Sequence, residues 1–237
     1  MATTRDVHFP TTPSLRDFAR AHGRALLIFA VSFALLIALA ALSARFVERD
    51  AGPARFSGLV VEPPRELPAL QLQRTDGGVW NSAETDGRVA LFFFGYTNCP
   101  DVCPLTLSRA RQALSQLGDD AARVDVYFIT VDPERDTPER LGLYVSQFHP
   151  AITGLTGTPE QLATAMSAFG VVAQQVPTGS GAGYAVDHTA TSFLVDDGAI
   201  RLLYAYDTPA GDIASDLRAI LAESGRDELQ RQAADGR

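Results

Sequence analysis

The chain holds two cysteines, Cys99 and Cys103, in the run Phe93-Phe94-Gly95-Tyr96-Thr97-Asn98-Cys99-Pro100-Asp101-Val102-Cys103-Pro104. A thiolate pair at the turn between an apolar strand and a helix suits two chemistries, disulfide exchange and coordination of a soft ion such as Cu(I). A purely structural disulfide is a weaker explanation, because the loop it closes is so short that it constrains the unfolded chain little. A structural zinc site needs four ligands, which two thiols and few histidines do not supply. Pro104 suits the first helical position, where its missing N–H would have no partner anyway, so the sequence predicts Cys103 at the helix cap. There the positive end of the helix dipole and the free N–H groups favour a thiolate. Redox and metal chemistry both stand at this stage.

The elements that must position these thiols are legible as alternating patterns. Arg88 to Gly95 is apolar almost without interruption and predicts a strand buried on both faces, which delivers the cysteines to its carboxyl end, where open α/β sheets place ligands. A helix follows at about 104–117, with Leu105, Ala110 and Leu114 on its apolar side. Val124 to Val131 predicts a second strand. Thr137-Pro138 opens a helix to about Phe148, and Thr158-Pro159-Glu160-Gln161, with capping-box spacing, opens another to about Phe169. Leu70 to Gln73 before Asp76-Gly77-Gly78 predicts a hairpin, as do Thr191–Val195 and Ala199–Tyr206 joined through Asp196-Asp197-Gly198. A last helix covers Ile213 to Leu221. A βαβ half followed by a hairpin and a helix predicts an α/β, thioredoxin-like domain over residues 67–225, with a polar, frayed tail at 226–237.

The flanks and composition narrow the setting. Residues 25–44 carry no charge and are long enough as a helix to cross a bilayer, predicting a single transmembrane anchor between a cytoplasmic tail (1–24) and a Pro-rich tether (45–66). A cleaved signal peptide is the alternative, with Ala38-Leu39-Ala40 and Leu42-Ser43-Ala44 as candidate cleavage patterns. Asp6, Asp17 and the scarcity of serine in the tail favour a bacterial inner membrane, with the globular domain in the periplasm, over a mitochondrial inner membrane facing the intermembrane space. A net charge of −8 over 237 residues argues against nucleic acid as a partner. All 20 basic residues are arginine, which removes P-loop, Schiff-base and kinase-type lysine chemistry.

Four histidines are available to the thiols. His8 and His22 lie in the tail, on the predicted far side of the membrane. His149 follows a helix and precedes Pro150, a position suited to capping. His188 stands in Tyr184-Ala185-Val186-Asp187-His188-Thr189, between the Gly-rich loop Thr178–Gly183 and a hairpin strand, and taken alone reads as a loop histidine satisfied by Asp187 or Thr189.

Together with Thr130-Val131-Asp132-Pro133-Glu134-Arg135-Asp136-Thr137-Pro138-Glu139 and Gly154-Leu155-Thr156-Gly157, the cysteine run and Val186-Asp187-His188-Thr189 give a chain that resembles the SCO/SenC family of copper-binding proteins, involved in cytochrome c oxidase assembly. The resemblance implies a thioredoxin-like fold anchored by one N-terminal helix, with copper, as Cu(I) or Cu(II), held by Cys99, Cys103 and His188. It also implies delivery to the copper-site subunit of cytochrome c oxidase, with other periplasmic copper chaperones or thiol reductants as further partners. The alternative is a thiol:disulfide oxidoreductase that uses Cys99 and Cys103 to reduce the oxidase copper site or other proteins. Cys-x-x-Cys is the usual form for that work, and a reductase has no need of His188. Around the ligands, Asp187 either orients His188 or accepts a turn N–H. Asp132, Arg135 and Asp136 form either an ion-pair network at the rim or ordinary caps. Asn98 departs from the family, where a larger aromatic or histidine is expected.

Overall fold

The computed structural model describes residues 27–37, 56–179 and 183–235. The chain divides after Ala54 into two units. In the first, residues 27–37 form helix α1 with exposed side chains. The rest of the expected 25–44 anchor, and His8 and His22, lie outside the described residues. Among the described residues, no helix is long and apolar enough to cross a membrane.

The second unit is built around β4 (Val89–Gly95), every residue of which is buried. Its even and odd positions serve different cores. Leu91 and Phe93 face the cluster formed with helices α2 (Val102–Leu117), α3 (Pro138–Ser146) and α5 (Ala210–Asp235). Ala90, Phe92 and Phe94 face a second cluster with α4 (Pro159–Phe169) and Trp80. Two covered faces explain why the run lacks polar alternation.

β4 pairs in parallel with β5 (Val124–Thr130), and β5 with β6 (Ile152–Thr156), while β9 (Ser192–Asp196) lies antiparallel on the other side of β4. The full sheet also contains β1 (Leu59–Glu66), β2 (Gln71–Arg74), β3 (Val79–Asn81) and β10 (Ala199–Tyr204), in the order β1-β10-β9-β4-β5-β6-β2-β3. A separate antiparallel ribbon pairs β7 (Ala173–Pro177) with β8 (Tyr184–His188).

Both Thr-Pro signals act as expected. Thr137 Oγ1 accepts the Arg140 N–H at the head of α3. Thr158 and Gln161 close a reciprocal capping box on α4, which ends at Gly170 in the left-handed region.

Four expectations need correction. Part of the predicted tether is strand β1, paired with β10. Pro63 and Pro64 are tolerated because β1 is an edge strand whose register shifts between Val60 and Arg65. Helix α2 begins two residues before Pro104, because a first turn accepts proline at any position lacking an intrahelical N–H partner; Asp101 holds the N-cap position without a side-chain cap bond. Leu105 accordingly points outward, 42% exposed, and Leu107 takes the core position. Helix α5 runs on to Asp235, where a frayed tail was expected.

Phe92 is fully buried, with its ring 4.9 Å from Tyr127, 5.0 Å from Phe169 and 5.7 Å from Trp80. Phe92→Ala is expected to remove about 3–5 kcal/mol of stability, read as a lowered midpoint of urea unfolding with an unchanged slope.

Candidate metal centre

The end of β4 determines where the sulfurs lie. A Cβ on Gly95 would sit 2.7 Å from Cys103 Sγ and 2.8 Å from Phe128 Cζ, so a residue without a side chain lets the first turn of α2 close on the strand. Between them the chain turns through Tyr96 to Asp101, with the Cys99 N–H donating to the Tyr96 carbonyl at 3.2 Å. Cys103 occupies the second position of α2, and its free N–H donates to Cys99 Sγ at 3.4 Å. Cys99 thus takes the acceptor position at the helix N-terminus that the sequence assigns to Cys103.

That exchange of roles sets the protonation of the pair. The Cys103 S–H, donating to Cys99, lowers the Cys99 pKa to about 4; burial opposes the shift, and the Cys103 N–H reinforces it. Cys103, bonded to Cys99 and buried at 4% exposure, is pushed above the ordinary thiol range. The shifts favour the thiolate on the half-buried sulfur and the proton on the buried one.

His188, the last residue of β8, completes the group. Its Nε2 lies 3.6 Å from Cys103 Sγ, and its Nδ1 faces the Thr189 carbonyl at 3.0 Å. A carbonyl only accepts, so Nδ1 carries the hydrogen, and in the neutral ring Nε2 presents a lone pair to the sulfurs. The ligating atoms of Cys99, Cys103 and His188 all lie within 4.8 Å of one another. The Tyr96 ring stands edge-on to the imidazole at 5.9 Å.

Beneath the thiols, Asp136 is 1% exposed and accepts from the Thr97 N–H at 3.0 Å, the Thr97 hydroxyl at 2.6 Å and the Thr130 hydroxyl at 2.7 Å. It joins the start of the cysteine turn to the end of β5. Asp132, also buried, pairs with Arg135 and accepts the Tyr184 hydroxyl at 2.8 Å. Arg135 also donates to the Tyr184 carbonyl at 2.8 Å and lies 3.7 Å over the Tyr184 ring. These are buried contacts that join separate elements rather than a solvated rim of caps.

Other expected residues stand apart. Asp187 alternates to the opposite face of β8 from His188, is exposed, and sits opposite Gln174; the Thr189 carbonyl orients the imidazole instead. His149 Nδ1 accepts the Ala151 N–H at 3.2 Å and lies outside the sulfur cluster. Asn98 is exposed and accepts from Arg140, leaving Cys99 partly accessible. Sequence reasoning missed Tyr184, although strand period places Tyr184, Val186 and His188 on one face.

A parallel β4-β5-β6 core with crossover helices, an antiparallel β9-β10 pair, a closing helix and a dithiol–imidazole cluster at the end of β4 define a thioredoxin-like protein with a soft-metal or redox site. The chain belongs to the SCO1/SenC family, whose model matches residues 62–222. It is similar to the copper-bound structure of Bradyrhizobium japonicum ScoI, at 38% identity and TM-score 0.61, over 65% of this chain and 99% of that one. The solution structure of apo Sco1 from Thermus thermophilus matches at 38% identity and TM-score 0.65, over 71% and 99%. An SCO2-like protein of Rickettsia prowazekii is 34% identical over 128 residues, 54% of this chain and 62% of its own length.

The asymmetry of the thiols has a kinetic signature. Because Cys99 is held near pKa 4, its alkylation rate in the reduced, metal-free protein should stay level across about pH 5.5–8, whereas an ordinary thiol loses about tenfold per unit below pH 8. Iodoacetamide with peptide mass analysis should find Cys99 labelled before Cys103, and Cys103→Ala should move the inflection upward; prior labelling of Cys103 contradicts the assignment.

Proposed function

We propose that this protein binds copper through Cys99 Sγ, Cys103 Sγ and His188 Nε2 and delivers it to the copper-site subunit of cytochrome c oxidase. The observation that carries this reading is the convergence of two sulfurs and an imidazole nitrogen, with Nδ1 of the ring already engaged by a carbonyl. Thiolate and imidazole bonds to a first-row metal of about 2.0–2.3 Å put three ligand atoms roughly 3.5–4 Å apart, so small movements close these side chains on one ion. A soft, low-coordinate donor set favours Cu(I) over Zn(II), which prefers four ligands. Delivery then proceeds by exchange of thiolate ligands. Loss of two electrons to an external thiol oxidant, with release of the Cys103 proton, would join Cys99 and Cys103 in a disulfide that offers no thiolate to copper, so thiol redox state gates loading. The copper-bound relative and the family to which the chain belongs support the same cargo.

A second reading has one observation in its favour: an accessible thiolate beside a protonated thiol is also the arrangement of an attacking and a resolving cysteine. In that role the protein reduces the cysteines of the oxidase copper site or of other extracytoplasmic proteins. For either role we place residues 25–44 in a bacterial inner membrane, with the domain in the periplasm.

Copper titration of the reduced protein, with X-ray absorption at the copper edge, is expected to give one tightly bound ion with sulfur and nitrogen neighbours, and the oxidised protein should bind far less. His188→Ala should weaken copper binding by more than about 10–100-fold, the range for losing only a supporting partner, while leaving exchange with a peptide disulfide intact. Unchanged affinity in that variant would falsify the ligand assignment. Alkaline extraction of membranes should leave the full chain in the pellet and release a form lacking residues 1–54; release of the full chain overturns the anchor.

A further inference from the structure

His188 is carried by the β7–β8 ribbon, which makes no ladder with the main sheet. A two-stranded ribbon is marginal in water, so its position depends on what fastens it to the body. One fastening combines an apolar side chain with a single hydrogen bond: Val186 is buried, and its N–H donates to Tyr96 Oη at 3.3 Å. The other is polar and concentrated on one residue from another part of the chain. Arg135 spends Nε on Asp132 and Nη1 on the Tyr184 main-chain carbonyl, with its guanidinium plane 3.7 Å over the Tyr184 ring. The Tyr184 hydroxyl returns to the other oxygen of Asp132, closing the circuit. The guanidinium also lies 5.7 Å from the Tyr96 ring, which itself stands against His188.

A helix-capping ion pair would not require Arg135 to grip a main-chain carbonyl 49 residues along the chain. Nor is this an exposed pair: the Asp132 side chain is 1% exposed and that of Arg135 19%. Buried, stacked arginine contacts shared between two acceptors fix geometry in a way that a solvated pair does not. Tyr184, at the head of β8, shares its face with Val186 and His188, so the register of Tyr184 sets where the imidazole lies.

We propose that Arg135 and Tyr184, with Asp132, form a clamp that docks the β7–β8 ribbon and so determines whether His188 reaches the ion held by the two sulfurs. Arg135 is a positioning residue in this scheme, acting on copper only through His188. The inference rests on the three-ligand reading above. It predicts a separable state: with the clamp open, both sulfurs still hold copper and the imidazole is absent.

The test uses the full chain with two alterations. Tyr184→Phe removes the hydroxyl's bond to Asp132 and its longer contact with Glu134 at 3.4 Å, leaving the Arg135 contacts in place. Asp132→Asn with Arg135→Met removes both charges together, leaving no buried carboxylate unpaired. In the metal-free protein, hydrogen exchange of the ribbon amides should accelerate at least tenfold in the double variant and less in Tyr184→Phe, with β4 and β5 amides unchanged. With copper, the double variant should lose the nitrogen contribution in X-ray absorption, retain sulfur, and fall in affinity toward His188→Ala. Added to His188→Ala, it should weaken copper binding by less than twofold. Ribbon exchange unchanged in both alterations overturns the clamp, and a further loss of tenfold on the His188→Ala background overturns the claim that it acts through His188. Equal copper binding by the parent and His188→Ala would instead sink the three-ligand reading, and the exchange measurement would still decide the clamp.

Discussion

A carboxylate taken out of water must find donors, and Asp136 finds three of them on segments that would otherwise be independent. Its contacts with Thr97 and Thr130 join the turn that carries Cys99 to the end of β5. The Asp132 N–H donates to the same Thr130 hydroxyl at 3.0 Å, so the neighbouring turn is drawn into the circuit. From Asp132 the connection passes through Arg135 to Tyr184 and the ribbon that bears His188. The three side chains that converge at the site come from α2, its preceding turn and β8, and the polar network beneath them joins the segments that carry them. Gly95 contributes by vacancy, giving the Cys103 sulfur room at the strand end.

The sequence displays most of the central architecture because the physics there is local or strongly patterned. Phe92, Phe93 and Phe94 declare burial on both faces, and the threonines before Pro138 and Pro159 declare helix starts through bonds that span only three residues. What stays hidden depends on partners distant in the chain. Strand β1 reads as a tether because its prolines look like breakers until β10 is known to lie on one side of it only. The β7–β8 ribbon gives a weak signal because Gln174, Gln175 and Val176 are exposed and follow no clean alternation.

At the site the division is similar. Cys99 and Cys103 are legible as a pair from spacing alone, and His188 enters through its resemblance to a known family rather than through any local pattern. The distribution of the proton between the thiols is not legible, since it turns on a helix that begins two residues earlier than Pro104 suggests. Asp187 is the neighbour that sequence proximity favours for His188, but adjacent strand residues point to opposite faces, and a backbone carbonyl holds the ring instead. Tyr184 is separated by a wide stretch of chain from Asp132 and Arg135, and no local pattern announces their meeting.

The position of β4 bears on how the sulfurs age. It is paired along its length with β5 and over five residues with β9, and both of its faces are covered, which places it among the segments whose amides open only with the whole fold. Cys103 rests against the last residue of that strand. Opening of the strand therefore does not expose it, and peroxide meets the accessible Cys99 sulfur first. Cys99 is the first of the pair to meet an oxidant, and with the sheet closing one side of Cys103, access to the buried thiol is left to the side covered by the ribbon.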